Sequence, residues 1–159
     1  MQLEFAYLAD HPDLVPTIIR WWDTVWSDQI GAIEQAEKIL RDSLNPGELP
    51  IHILAYLDGE LVGSAALKDQ ELAKLYPDYH YWLGSVFVHA PHRGHKIASA
   101  LSDRIVELAR ERHLPHLYLQ TQNLQGGLYA KLGWQPVEEF EYRGQRGLLM
   151  LRQLEYDQP

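Results

Sequence analysis

Apolar and polar residues alternate in several stretches of the chain, and each such stretch predicts a β-strand. Residues 2–8 alternate loosely and predict a first strand. Two apolar runs, 51–57 and 61–67, are joined by Asp58-Gly59, a dipeptide typical of a two-residue hairpin turn. The polar segment 68–80 predicts a loop with a short helical turn. The remaining predicted strands are 81–88, 117–121, and a closing hairpin of 134–142 and 148–154 around Arg143-Gly144.

Other stretches carry apolar residues at helical spacing. The first predicted helix is entered at Asp10-His11-Pro12, with Asp10 as its cap and Pro12 in its first turn. A second helix is expected from about Ile30 to Leu44, and Asn45-Pro46-Gly47 stops it. An amphipathic helix over 99–112 and a short helix over 128–132, ended by Gly133, complete the set.

The order of these elements, βααββ followed by βαβαββ, predicts the fold class. A strand, a helix and another strand in the middle imply a parallel pair with a right-handed crossover. Hairpins on either side add antiparallel strands. We therefore expect an α/β protein with a central mixed sheet of six to seven strands and about four helices. A length of 159 residues fits a single domain over 1–159.

Composition narrows the function. The formal net charge of −8 argues against nucleic-acid and membrane-surface partners. The chain contains no cysteine, which excludes disulfides, thiolate metal sites and a cysteine nucleophile. The N-terminal residues lack the basic and apolar regions of a secretory signal, and no apolar stretch reaches the roughly 20 residues that span a bilayer. We expect a cytoplasmic protein.

The segment from Val86 to Ser99 carries the clearest chemical signal. A strand ends there, a loop containing Arg93-Gly94 follows, and a helix begins. The first amides of a helix have no partner within it and lie at its positive end, so this turn suits an anion such as a pyrophosphate. Small residues, among them Ala98, let the anion approach the backbone. On spacing alone, an ordinary strand-to-helix turn fits equally well.

The same segment resembles motif A of the Gcn5-related N-acetyltransferases, the GNAT superfamily. The family pattern is Gln or Arg, two residues, Gly, one residue, then Gly or Ala. Here Lys96 stands where the central glycine usually stands, between Arg93 and Ala98. Leu-Gln-Thr at 119–121 and Leu-Tyr-Ala-Lys-Leu-Gly-Trp at 128–134 are similar to motif B, which usually ends Leu-Tyr, two residues, Leu-Gly-Phe. The resemblance covers nearly the whole chain.

The resemblance implies an acetyl-CoA site, with acetyl-CoA as cosubstrate. The strand before motif A would bind the pantetheine and acetyl group through its backbone, and the following turn would wrap the pyrophosphate. Gln122 has the spacing of the family's motif B asparagine and Asn123 has its residue type. The implied cofactor-binding residues are Val86, Phe87, Val88, Arg93, Gly94, His95, Lys96, Ile97, Ala98, Ser99, Gln122 and Asn123.

Tyr129 matches the motif B tyrosine that commonly protonates the departing thiolate, and we predict it as the catalytic residue. A thiol has a pKa of about 8.5 and a tyrosine of about 10, so Tyr129 can supply a proton without a strongly shifted pKa. The alternative is an ordinary core aromatic. Lys96 is expected to keep right-handed helical backbone, because Lys96-Ile97-Ala98 opens a helix, and to add a modest charge to the phosphate site.

The general base and the acceptor are less well defined. Relatives often carry a glutamate on the strand before motif A, but residues 81–86 contain no carboxylate. The first helices and the final hairpin flank the acceptor in the family, which makes Trp22 and Tyr142 candidate substrate contacts. The candidate bases are His80, His89, Glu138, Glu139 and a chain of water molecules.

We therefore predict an acetyl-CoA-dependent N-acetyltransferase that acts on a primary amine of a small molecule or peptide. The alternative is a non-catalytic acyl-CoA sensor of the same fold; a longer acyl-CoA donor and a homodimer also stay open. No metal is expected, since Pro91 and Arg93-Gly94 interrupt the run His89, His92 and His95. The absence of GxGxxG and P-loop motifs disfavours a nucleotide-binding protein.

Overall fold

The computed structural model describes residues 2–45 and 47–156. Pro46, at the predicted end of the second helix, and the outermost residues of the predicted 1–159 domain lie outside this range. The strands are β1 (Leu3–Tyr7), β2 (Ile51–Leu57), β3 (Glu60–Lys68), β4 (Trp82–Val88), β5 (His116–Thr121), β6 (Gln135–Tyr142) and β7 (Gln145–Gln153). The helices are α1 (Val15–Ile30), α2 (Ile33–Asp42), α3 (Ile97–Glu111) and α4 (Gly127–Lys131).

All seven strands belong to one sheet, in the order β1-β2-β3-β4-β5-β7-β6. β4 and β5 run parallel, and the other neighbours run antiparallel. α3 provides the crossover between the two parallel strands. The predicted mixed α/β class, with six to seven strands and about four helices, is confirmed.

The two predicted hairpins form where their turn residues require them. Asp58 and Gly59 have φ of 50° and 85°, so both central residues of the β2–β3 turn have positive φ. Such a turn matches the twist of the two strands, and glycine adopts it without the Cβ penalty. The β6–β7 turn repeats the pattern, with φ of 54° at Arg143 and 79° at Gly144.

The predicted start of the first helix is wrong. After β1 the chain makes two 3₁₀ turns, Leu8–Asp10 and Pro12–Leu14, and α1 begins only at Val15. Asp10 therefore does not cap α1. The reason is a second proline, Pro16, which occupies the first turn of α1 as Pro12 had been expected to do.

The boundary between the first two helices also differs. α1 is kinked at Trp26, whose φ of −127° and ψ of 36° are non-helical, and then continues through Ile30 to end at Gly31, which has φ of 68°. A positive φ stops an α-helix, and glycine adopts it readily. α2 therefore begins at Ile33, three residues later than predicted. α3 begins at Ile97, two residues before its predicted start.

The helices cover both faces of the sheet. α3 packs on one face, where Leu101 and Ile105 are fully buried in the largest apolar cluster. α1 and α2 contribute to a second cluster with Leu54 of β2 and Phe87 of β4. β4 is thereby held between helices, which is what fixes the position of the strand that leads into the motif A turn. No helix in the described part of the chain is long and apolar enough to cross a membrane.

Candidate active site

A β-bulge interrupts β4 shortly before the motif A turn. Ser64 pairs with Phe87 and Ala66 pairs with Gly84, so β4 carries one residue more than β3 between these pairs. Ser85 lies in the bulge with φ of 53°, a conformation uncommon for a residue other than glycine. A bulge re-aims the residues that follow it.

The bulge turns the backbone of Val86 and Val88 toward β5. Peptide groups of successive strand residues point to opposite edges. The His89 N–H donates to Val62 O at 2.8 Å, so His89 and, two residues earlier, Phe87 face β3. Val86 and Val88 lie between them in this alternation and face the other edge. Without the extra residue, the N–H and C=O groups of Val86 would point toward β3, as those of Gly84 do.

The edge that Val86 and Val88 face is open. Within the described residues, β4 and β5 are paired at one register position, Trp82 with Tyr118, and the Tyr118 N–H donates to Tyr81 O at 2.8 Å. Beyond that point the two strands diverge. The gap thus exposes main-chain donors and acceptors on β4 of the kind that bind an extended, amide-containing ligand.

The positive end of α3 follows directly. The first hydrogen bond of α3 runs from the Ala100 N–H to Lys96 O at 3.1 Å, which leaves the amides of Ile97, Ala98 and Ser99 without intrahelical partners. The first turn contains no acidic residue that would compete for them. Since the side chain of Ile97 is buried in the core, only its backbone is available to a ligand. The predicted phosphate turn therefore has the features that an anion requires.

The expectation for the Lys96 backbone is wrong. Lys96 caps α3 with φ of 61° and ψ of 23°, which is the left-handed region. The chain has just made a sharp turn through Gly94, which has φ of 90°, and Lys96 adopts the conformation that the family's glycine allows. The backbone path of the motif is thus retained, at the expense of strain in a residue with a Cβ.

We predict that Lys96→Gly raises the free energy of unfolding by about 1 kcal/mol, because the left-handed conformation costs a residue with a Cβ about that amount relative to glycine. Lys96→Ala removes the same charge but keeps the Cβ, so it is the matched control and should not stabilise the protein. Urea unfolding of the three proteins provides the measurement. Equal stability of the Gly and Ala variants would show that the lysine is unstrained.

Other predicted residues surround the turn. The Arg93 Nε–H donates to Val88 O at 3.1 Å, so Arg93 folds back onto the end of β4. His89 stacks on Trp21 of α1 with ring centroids 4.9 Å apart. His95 is exposed on the loop. Within residues 2–45 and 47–156, no three His, Asp or Glu side chains are grouped so as to hold a metal ion.

Tyr129 lies on α4 and packs against the same apolar cluster as Val86 and Val88. Burial, with a smaller contribution from the charge of Glu71, raises the pKa of Tyr129 to about 12. The sequence argument does not require a shifted pKa for Tyr129, and the shift arises because the phenol is buried. The hydroxyl stays protonated at neutral pH and can donate a hydrogen bond.

The two candidates for the motif B asparagine differ in their contacts. The Asn123 side chain accepts a hydrogen bond from the Gln125 N–H at 3.0 Å and so shapes the turn before α4. The Gln122 amide donates to Gln145 of β7 at 2.5 Å. Both side chains form hydrogen bonds to other groups of the protein, and both residues lie at the end of β5 that borders the gap.

The candidate acceptor contacts are unequally accessible. Trp22 is 8% exposed, and its Nε1–H donates to Ser64 Oγ at 3.4 Å, so most of its surface is in the core. Tyr142 is half-buried at the end of β6 in an aromatic cluster with Trp82. Arg143 lies over the Tyr142 ring at 5.2 Å.

The candidate general bases are dispersed. His80 contacts Asp69 at 3.1 Å, and Glu139 forms an ion pair with Arg146. Glu138 lies near Tyr76, and its carboxylate adds to the effect of burial in raising the pKa of Tyr76. Two residues beside β4 are not predicted from the sequence: Ser85, which forms the bulge, and Glu71, whose carboxylate lies against the strand. No local pattern identified either, because both positions depend on contacts between strands and loops.

Comparison with known proteins shows which family has this architecture. The acetyltransferase (GNAT) family model matches residues 15–134. Aminoglycoside 6′-acetyltransferase type Ii is similar in structure, with a TM-score of 0.74 and 18% identity over 99% of this chain and 100% of that one. No protein of curated function matches the sequence significantly.

Two further structures show the same fold. Ribosomal-protein-alanine N-acetyltransferase from Brucella melitensis superposes with a TM-score of 0.73 and 18% identity, over 97% of this chain and 100% of that one. An aminoglycoside 6′-N-acetyltransferase complexed with coenzyme A gives a TM-score of 0.74 at 16% identity, over the full length of both chains. At these identities the similarity concerns the fold.

Proposed function

Because the chain belongs to the GNAT acetyltransferase family, we propose that it transfers the acetyl group of acetyl-CoA directly to a primary amine of a small molecule or peptide. The observation that carries the proposal is the open edge of β4, which continues into the positive end of α3. A pantetheine arm needs amide partners along an extended path, and a pyrophosphate needs unpaired N–H groups. These two features lie one after the other along the chain, in that order.

The residues of this chain have separate tasks in the proposed reaction. Backbone groups of Val86 hold the arm. The Val88 C=O already accepts a hydrogen bond from Arg93, and the Val88 N–H polarises the thioester carbonyl. The amides of residues 97–99 bind the pyrophosphate. Tyr129 donates its hydroxyl hydrogen toward the departing sulfur, and its raised pKa keeps that hydrogen in place throughout the neutral range. Most of the rate comes from holding the two substrates together.

Two departures from the family pattern favour the alternative of a non-catalytic acyl-CoA sensor: Lys96 in place of glycine, and the absence of a carboxylate from residues 81–86. The left-handed backbone of Lys96 weakens the first argument, because the turn keeps the path that glycine would give it. Tyr129, which packs against the same apolar cluster as Val86 and Val88, favours an enzyme. We further propose that residues 1–159 act as one N-acetyltransferase domain. A cytoplasmic location and a homodimer stay predictions of the sequence.

Acetyl-CoA is expected to raise the melting temperature, since a ligand that binds only the native state stabilises it by mass action. At 100 times its Kd the ligand adds about 2.7 kcal/mol, which corresponds to about 5–10 °C for a chain of this size. Differential scanning fluorimetry with NAD as the comparison ligand is the measurement. A shift with NAD and none with acetyl-CoA would contradict the proposed site.

Turnover is tested by release of coenzyme A with a panel of amines that includes a polyamine, an aminoglycoside, free amino acids and a short peptide. Because the chain has no cysteine, a thiol reagent reports on the product alone and the protein adds no background. Mass spectrometry should show that the mass of the amine has increased by that of one acetyl group. Binding of acetyl-CoA without transfer to any amine of the panel would favour the sensor.

A further inference from the structure

Glu71 reaches β4 from the loop that follows β3. A Cβ built on Gly84 would lie 2.5 Å from Glu71 Oε1 and 3.1 Å from its Cδ, so the carboxylate rests on the strand where a side chain would otherwise be. Its side chain is 16% exposed. Glycine at position 84 is what permits this approach. The carboxylate thus lies immediately before the bulge that re-aims β4.

Two contacts hold Glu71 in this place. The Lys68 Nζ donates to Glu71 Oε1 at 3.4 Å, and the Lys68 side chain also lies over Gly84. The neighbouring residue, Leu72, is buried in an apolar cluster with Trp82 of β4. A carboxylate anchored from both sides is pre-organised, which a proton acceptor in a transfer reaction requires.

The ionisable groups around Glu71 come from three elements. Lys68 belongs to β3 and Tyr129 belongs to α4. His52 of β2 responds to the Lys68 charge, and its burial lowers its pKa to about 3, so it is neutral here. The Glu71 charge also contributes to the raised pKa of Tyr129, so the two groups are near enough to interact.

We propose that Glu71 is the proton acceptor for the incoming amine, an assignment that rests on the proposed acetyl transfer. The ammonium form of the acceptor gives one proton to the Glu71 carboxylate, and the free amine attacks the thioester carbonyl. The carbon–sulfur bond then breaks. Tyr129 gives its hydroxyl proton to the departing sulfur, the second proton of the nitrogen restores the Tyr129 hydroxyl, and Glu71 releases its proton to water. The products are the amide, coenzyme A and one proton.

The decisive experiment compares Glu71→Gln with the wild-type protein on two acceptors of similar shape. Ethylamine is mainly charged at pH 7, whereas trifluoroethylamine is mainly neutral and needs no proton acceptor before attack. We expect Glu71→Gln to lower kcat/KM about tenfold or more for ethylamine and less than about twofold for trifluoroethylamine. Asp78→Asn, which removes an exposed carboxylate from the same loop, is the matched control and should change neither value.

A second variant leaves Glu71 intact. Gly84→Ala places a methyl group where the carboxylate lies, so the side chain must move while the fold is kept, and the same selective loss is expected. Spectrophotometric titration supplies a readout independent of turnover: Glu71→Gln should lower the pKa of Tyr129, identified by difference from Tyr129→Phe.

Equal losses for the two amines, or full activity of Glu71→Gln on ethylamine, would overturn the assignment of Glu71. An unchanged Tyr129 titration in Glu71→Gln would do so as well. Failure of the proposed function appears differently, as a wild-type protein that binds no acetyl-CoA or transfers acetyl to no amine.

Discussion

Tyr129→Phe is expected to lower kcat by about 10²- to 10⁴-fold and to leave the Kd for acetyl-CoA nearly unchanged. The hydroxyl is the only group that the substitution removes, and the role proposed for it is limited to the departing sulfur. Because burial raises the pKa of Tyr129 to about 12, the wild-type activity should show no loss from ionisation of this group between pH 6 and about pH 9. The ring itself, which packs on the core cluster, is kept.

Single-turnover kinetics with preformed acetyl-CoA complex isolate the chemical step, and equilibrium titration gives the Kd. Tyr7→Phe, on the exposed surface of β1, controls for the loss of a tyrosine hydroxyl as such. If the chemical step is as fast in Tyr129→Phe as in the wild type, Tyr129 is a core aromatic and the leaving group is protonated by solvent.

The protein should lose about 2 kcal/mol of stability between pH 7.5 and pH 5 because of His52 alone. Burial and the Lys68 charge lower the pKa of His52 from 6.5 to about 3 in the folded state. Between these values the unfolded chain binds a proton that the folded protein excludes, so the free energy of unfolding falls as the pH falls through this range. Above about pH 7 the effect vanishes, since both states are then neutral.

Urea unfolding at the two pH values measures this difference, and His52→Leu should remove the His52 share of it. His95→Leu is the matched control, because that histidine is exposed in the motif A loop and should leave the pH dependence as in the wild type. If wild type and His52→Leu lose stability in parallel, His52 is protonated within the fold and its buried Nδ1, which has no hydrogen-bond partner in the structure, has found an acceptor.

Local patterns predicted the parts of the fold that depend on local geometry. Asp58-Gly59 and Arg143-Gly144 specify their hairpins through positive φ, and the structure has both. The start of α1 was misplaced because Pro12 and Pro16 are equally good first-turn residues. The start of α2 was misplaced because Gly31, which ends α1, lies inside the predicted second helix. In each case the sequence offers two compatible boundaries, and packing selects between them.

The candidate site likewise has some features that local sequence predicts and others that depend on tertiary packing. The motif A turn and Tyr129 can be identified as candidates from the sequence because their residues are contiguous or match a pattern, and their roles stay predictions. The left-handed backbone of Lys96 is not predicted, because lysine rarely adopts that conformation and the neighbouring residues do not indicate it. Glu71 is 13 residues before Gly84, and their contact arises only once β3 and β4 pair. Burial of Tyr129, which changes its acidity, is likewise a property of the assembled core.

The divergence of β4 from β5 makes the sheet two half-sheets. Strands β1 to β4 form one, and β5, β7 and β6 form the other; each has its own antiparallel ladders. Beyond the Trp82–Tyr118 pair, they are joined mainly by apolar packing of both on α3. Side-chain packing tolerates small sliding movements better than a hydrogen-bond ladder does, so the slot between the half-sheets can adjust its width. A ligand bound between the two half-sheets would therefore fix the distance between them. It would also stabilise residues 116–156 against local unfolding as a unit.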